Sequence, residues 1–162
     1  MSAGKFPLES LCTVRGIRLR ALETELKRCR GLHDQAEQQR LATVDALALA
    51  QQSRQDFVAA SWQQLFDSNS PTGSAMDRHE RHLALLDQGI EERKATLAGC
   101  EQTCAETRAV LDQAVAAWRQ GRNKLDAVGE MKQEWQREIR SRQELHEEHS
   151  LEELLLRQTH SS

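Results

Sequence analysis

The stretch AVLDQAVAAWRQGRNKLDAV, residues 109–128, places an apolar or small residue at every third or fourth position, and seats a Trp and a Gly on that same stripe. Extended both ways in alternating steps of three and four, the stripe reads Leu83, Leu86, Ile90, Arg93, Leu97, Cys100, Cys104, Thr107, Leu111, Ala114, Trp118, Gly121, Leu125, Val128, Lys132, Trp135 and Ile139. Only Arg93, Thr107, Gly121 and Lys132 are neither apolar nor Ala. One register held over this length favours a coiled-coil seam, because the stripe of a bundle helix drifts or broadens. On it, Trp118 is a large flat residue suited to covering a thin core. Gly121 is expected to relieve crowding beside the indole or to mark a softer point in the helix.

Upstream, the pattern is less regular. Leu19, Leu22, Leu26 and Cys29 hold one register, and His33, Ala36 and Arg40 continue it weakly. Leu41, Val44 and Ala48 suggest a shifted register, followed by Val58, Trp62 and Leu65, so a local slip is expected near residues 33–41. Between the two arms DSNSPTGSAMD, residues 67–77, gathers turn-forming and capping residues; Pro71 and Gly73 bar helix continuation, and Ser74 or Asp77 is placed to cap the next helix. Pro7 fits a first-turn position and Glu9 favours the helix dipole. The expected fold is all-α: a single long two-helix antiparallel coiled-coil hairpin, helix 1 about 7–66, loop about 67–77, helix 2 about 78–157. Its seam would include Leu22, Leu26, Leu83, Leu86, Ile90, Leu97, Leu111, Trp118, Leu125, Trp135 and Ile139. If the pairing pivots about the loop, residues whose numbers add to roughly 143 share a height. Cys100 and Cys104 then face Thr43 and Gln39, Cys29 faces Ala114 and Cys12 faces Met131, so no intramolecular disulfide follows.

Composition agrees with a thin seam. The 162 residues contain only 4% aromatics and no Tyr, so the usual large fillers of a globular core are missing, while 29% are charged and only two are Pro. A net charge of -3, with no basic run interleaved with aromatics, excludes a nucleic-acid binder. The chain has no apolar run long enough to span a bilayer, and MSAGKFPLESL lacks a signal-peptide core, which predicts a cytoplasmic protein whose four cysteines stay reduced as small seam residues.

Catalytic signals are absent. His79 and His82, and again His146 and His149, lie three apart rather than four as in HExxH, with no third ligand; they read as solvated histidines and imply no metal. No phosphate loop and no nucleophile with an evident base occurs, and a two-helix rod is expected to lack a substrate pocket. No cofactor and no enzyme activity are expected. Charge is more informative: residues 1–30 carry seven Lys or Arg against three acids, and residues 130–162 carry five against eight. The hairpin would bring these ends together, setting Arg15, Arg18 and Arg20, with Arg137, Arg140 and Arg142, beside the acidic HEEHSLEE. Leu151, Leu154, Leu155 and Leu156 fall where helix 1 is too short to cover them, favouring a partner or self-association unless Phe6 and Leu8 fold over that end.

The segments LDQGIEERKATL, LDQAVAAWRQGRNKLDAV and REIRSRQELHEEHSLEELLLR resemble the second helix of the FliJ/YscO (SctO) family of type III secretion stalk proteins. Trp118, Arg119, Lys124 and Leu125 match that family's W-R-x-x-x-x-[KR]-L core, and FPLESLCTVRGIRLRALETEL resembles its opening. The resemblance implies a hairpin whose paired termini enter the hole of the hexameric secretion ATPase and whose loop-side body faces the export gate protein. Export chaperones would be further partners, and membrane contact would come only through the export apparatus. It assigns Arg15, Arg18, Arg140, Arg142, Leu154 and Leu155 to the ATPase, and His82, Leu86, Gly89 and Arg93 to the gate, where the family prefers an aromatic in place of His82. The loose match to flagellar members leans the reading towards a virulence injectisome. The alternative is a generic coiled-coil scaffold or helical chaperone without an ATPase partner.

Overall fold

The computed structural model describes residues 4–67 and 73–160; the expected turn at 68–72, Pro71 within it, and the side chains of Leu65 and Phe66 lie outside the described residues. The described residues form two helices, α1 (Glu9–Asp67) and α2 (Gly73–His160), which make an all-α antiparallel hairpin. Long runs of Ala, Leu, Glu, Gln and Arg give both segments high helix propensity, and burial of one face stabilises them as a pair. Pro7 and Leu8 form the turn leading into α1, where the Glu9 amide donates to the Phe6 carbonyl at 3.1 Å. Because α2 begins at Gly73, Ser74 and Asp77 lie inside the helix and do not precede it as caps.

Residue contacts divide the hairpin into two units, Met1–Leu26 with Ala114–Ser162, and Lys27–Gln113. In the first, Phe6 is buried and its ring centroid lies 5.7 Å from that of Trp135, closing the end of the seam. Lys132 pairs with Glu9 at 2.7 Å, which explains a Lys on the inward stripe: its stem packs while its ammonium reaches a carboxylate on the facing helix. That hydrogen bond also raises the Lys132 pKa. Val128 and Leu26 are buried, and Leu19, Leu22, Leu125, Trp135 and Ile139 are half-buried. Trp118 is half-buried with the Arg122 guanidinium 5.6 Å from its ring centroid. Gly121 answers to a different neighbour than the indole: a Cβ there would stand 2.7 Å from Leu22 Cδ1 and 3.7 Å from Leu19 Cδ1. The glycine makes room for the leucines of α1.

In the second unit α2 turns Ile90 and Cys104 fully inward, with Leu83, Leu86, Leu97, Cys100, Thr107 and Leu111 half-buried. Arg93 leaves the stripe for solvent, and its guanidinium donates back to the Gly89 carbonyl at 3.1 Å. Thr107 lies 3.1 Å from His33 Nδ1 on the facing helix.

The expected register slip in α1 does not occur. Its inward face continues in steps of three and four through Cys29, His33, Ala36, Arg40, Thr43, Leu47, Ala50, Arg54, Phe57 and Ser61, each buried or half-buried. Leu41, Val44 and Ala48, expected to take over the seam, are exposed, as is Trp62. Polar side chains hold the inward positions because each has a partner there. Thr43 Oγ1 lies 3.5 Å from Cys100 Sγ, Arg54 pairs with Asp87 across the helices, and Ser61 donates to the Val58 carbonyl at 3.1 Å. Arg40 pairs with Glu37 at 3.0 Å, and that hydrogen bond, with a second from Cys104, lowers the Glu37 pKa. Burial, then the Glu37 carboxylate, pushes the Cys104 thiol pKa up.

Three measurements check this packing. Gly121→Ala should forgo the usual helix-propensity gain of about 1 kcal/mol, because Leu22 must shift; in a Leu22→Ala background the same change should stabilise by about that amount. Chemical denaturation of the four-member cycle decides it, and equal effects in both backgrounds would refute the contact. Thiol labelling should reach half-exposed Cys12 and Cys100 well before buried Cys29 and Cys104, with Cys104 slowed further by its raised pKa. A lowered carboxylate pKa stabilises the fold above the unfolded value near 4.5 and loses that stabilisation as pH falls through the folded value. Glu37→Gln should therefore flatten the acid limb of a plot of melting temperature against pH and leave neutral-pH melting cooperative.

Candidate functional site

The first unit gathers the residues assigned to an ATPase. Arg15 sits on the inward side of α1, half-buried, and its Nη1 donates to the Lys124 carbonyl oxygen at 2.6 Å. Arg15, Arg18 and Lys124 line one open trough with Gln120 and Gly121, about 340 Å³ in volume, with no acid among its lining residues. The missing Cβ of Gly121 and the inward Leu22 form its floor, so one sequence choice serves both the packing and the surface above it. The trough can attract a carboxylate-bearing segment through three cations held close together. Lys124 was not assigned to this surface from sequence, although pairing about the loop sets it at the height of Leu19, next to Arg18.

Arg140 and Arg142 lie further along α2 and are exposed; Arg142 reaches Glu138 at 3.6 Å. They do not join the trough. Beyond Ile139 every described residue of α2 is exposed, including Leu145, and Leu151, Leu154, Leu155 and Leu156 are 57 to 62% exposed. Phe6 packs on Trp135 and Leu8 is itself exposed, so the described N-terminal residues leave these leucines uncovered. Leu151, Leu154 and Leu155 share one helical face by their spacing, an apolar patch next to the acids Glu147, Glu148, Glu152 and Glu153.

The residues assigned to an export gate lie in the second unit. His82 is exposed and meets Phe57 edge-on, ring centroids 4.4 Å apart, while His79 stacks on Phe57 at 5.1 Å. Leu86 is half-buried in the seam, and Gly89 and Arg93 form a local pair in which the guanidinium covers the glycine. Phe57, His79, His82 and Arg78 line an open groove of about 380 Å³. Grooves of a few hundred Å³ therefore exist on a two-helix body, contrary to the sequence expectation, but they are shallow depressions between neighbouring side chains. Sequence reading missed Phe57, whose inward position follows only from the unbroken register of α1. No helix among the described residues is long and apolar enough to cross a membrane, and no cluster of three or more His, Cys, Asp or Glu among them could hold a metal ion.

Neither a family model nor a curated protein matches the sequence. Among solved structures the chain is similar to a putative YscO homolog, CT670, from Chlamydia trachomatis, with a TM-score of 0.78 and 18% sequence identity, over 98% of this chain and 98% of that one. At that identity the likeness is one of fold, and the two chains share the helical hairpin over nearly their whole lengths.

Proposed function

We propose that this chain is a central stalk component of a type III secretion system, a cytoplasmic, non-enzymatic protein coupling the hexameric secretion ATPase to the membrane export gate. The full-length likeness to a putative YscO homolog carries the reading. The Trp118, Arg119, Lys124 and Leu125 pattern supports it independently, because it is a feature of sequence and not of fold.

In this reading the first unit docks in the ATPase ring. Arg15, Arg18 and Lys124 meet acidic groups of the ring, and the leucines around Leu154 and Leu155 supply the apolar contact that holds the complex once charge has steered it. The second unit offers His82, Gly89 and Arg93 to the gate, with Phe57 and His79 replacing the aromatic that the family prefers at His82. Leu86 faces the seam and acts through packing.

Binding of the cognate secretion ATPase to the purified chain tests this. Arg15→Glu and Arg18→Glu should each weaken binding by about tenfold or more, with helicity unchanged, and added salt should weaken the native complex in the same direction. A native chain that binds no secretion ATPase would leave a scaffold or helical chaperone as the better reading.

A further inference from the structure

The first unit carries two surfaces of opposite charge, the cationic trough of Arg15, Arg18 and Lys124 and the acidic overhang of α2 past Ile139. Their placement along α2 relates them. Gln120 and Lys124 open on the trough side of the helix, whereas Asp126, Glu130 and Gln133 open on the other side with Cys12. From Lys124, steps of three and four keep one direction, within about 40°, through Met131, Glu138, Leu145 and Glu152 to Leu156. Every residue of that line is exposed, Met131 at 52%, Leu145 at 53% and Leu156 at 61%. From Gln120 to Leu156 it runs roughly 54 Å along the axis.

The steps are symmetric about Glu138. When the line is laid antiparallel on a second copy, with a two-fold axis at that height, residues whose numbers add to about 276 face one another. Lys124 then meets Glu152, Glu134 meets Arg142, and Met131 packs on Leu145. Ala127 leaves room for the His149 ring, and Leu156 reaches Gln120 at the edge of the trough. The symmetry makes each contact twice, which is what an isologous interface requires.

Charge selects the same orientation. Glu153 lies on the seam side of the line, so in the antiparallel pair it comes to Arg15 and Arg18 of the facing copy while Glu152 takes Lys124. At the axis Glu138 meets its own copy, and Arg142, which reaches Glu138 at 3.6 Å within each chain, brings one guanidinium for each carboxylate. Asp126 and Glu130 stay on the far side of the helix. A parallel pair would instead set Lys124 on Lys124 and Glu152 on Glu152.

We propose that two copies of the chain pair on this face, antiparallel and two-fold symmetric, each laying its acidic overhang in the other's cationic trough. Leu151, Leu154 and Leu155 turn away from the line and take no part. The dimer covers Arg15, Arg18 and Lys124, so it keeps that surface from an ATPase until the second copy leaves; this consequence alone rests on the stalk reading.

Sedimentation or light scattering of the full chain across a wide concentration range, at low and high salt, tests the proposal. The native protein should rise from the 18.4 kDa monomer to twice that mass, and added salt should move that rise to higher concentration. Glu152→Lys should weaken the dimer by about tenfold or more, and so should Lys124→Glu. The two changes together should restore it, because only antiparallel pairing sets these positions face to face. Leu145→Glu should keep the chain monomeric, with helicity unchanged because the position is exposed. A native chain that stays monomeric at the highest concentration overturns the proposal. So does a dimer indifferent to Leu145→Glu but abolished by Leu154→Glu with Leu155→Glu, which would place self-association on the other leucines. Failure of a folded double variant to re-form the dimer overturns the antiparallel pairing. No ATPase enters these measurements, so they stand or fall apart from the stalk reading.

Discussion

Polar pairs inside the seam fix which face of α1 turns inward, and everything else on that helix follows from this. His33 with Thr107, Thr43 with Cys100 and Arg54 with Asp87 are contacts between the two helices of the second unit. A slip to the richer apolar line of Leu41, Val44 and Ala48 would bury more hydrocarbon but turn these polar groups away from their partners. A lost partner for a half-buried polar group costs on the order of the hydrophobic gain from one more covered methyl or two. Each displaced apolar residue is only partly covered in a two-helix layer, so its gain is fractional while the polar losses accumulate.

The second helix was legible because its inward line is apolar almost throughout, and each of its four departures has a local cause. Lys132 meets Glu9, Thr107 meets His33, Gly121 admits Leu22, and Arg93 turns outward over Gly89. The first helix was legible only from Leu19 to Ala36, where the seam is still apolar in most turns. Past that point, hydrophobic periodicity pointed to the wrong face, because periodicity records where apolar residues are and says nothing of polar residues that find partners. Reading the two helices against each other would have helped: the pivot about the loop already paired Thr43 with Cys100.

The same logic explains what was and was not visible of the candidate site. The uncovered leucines near the C-terminus follow from the unequal arms, and the clustering of Arg15 and Arg18 follows from sequence alone. Lys124 entered the cationic trough only through three-dimensional pairing, and Arg140 and Arg142 proved to stand apart from it. Phe57 was hidden by the register error and its two histidine neighbours with it.

A hairpin one layer thick leaves most of its surface in solvent, so an exposed leucine is weak evidence of a partner. Val14, Leu85 and Val110 are exposed in this way. Leu41, Val44, Ala48, Val58 and Trp62 hold helical period through a stretch that the seam itself gives over to Arg40, Thr43 and Arg54. The apolar line persists where the seam turns polar, so in this stretch hydrophobic periodicity and the inward face of α1 lie on different sides of the helix.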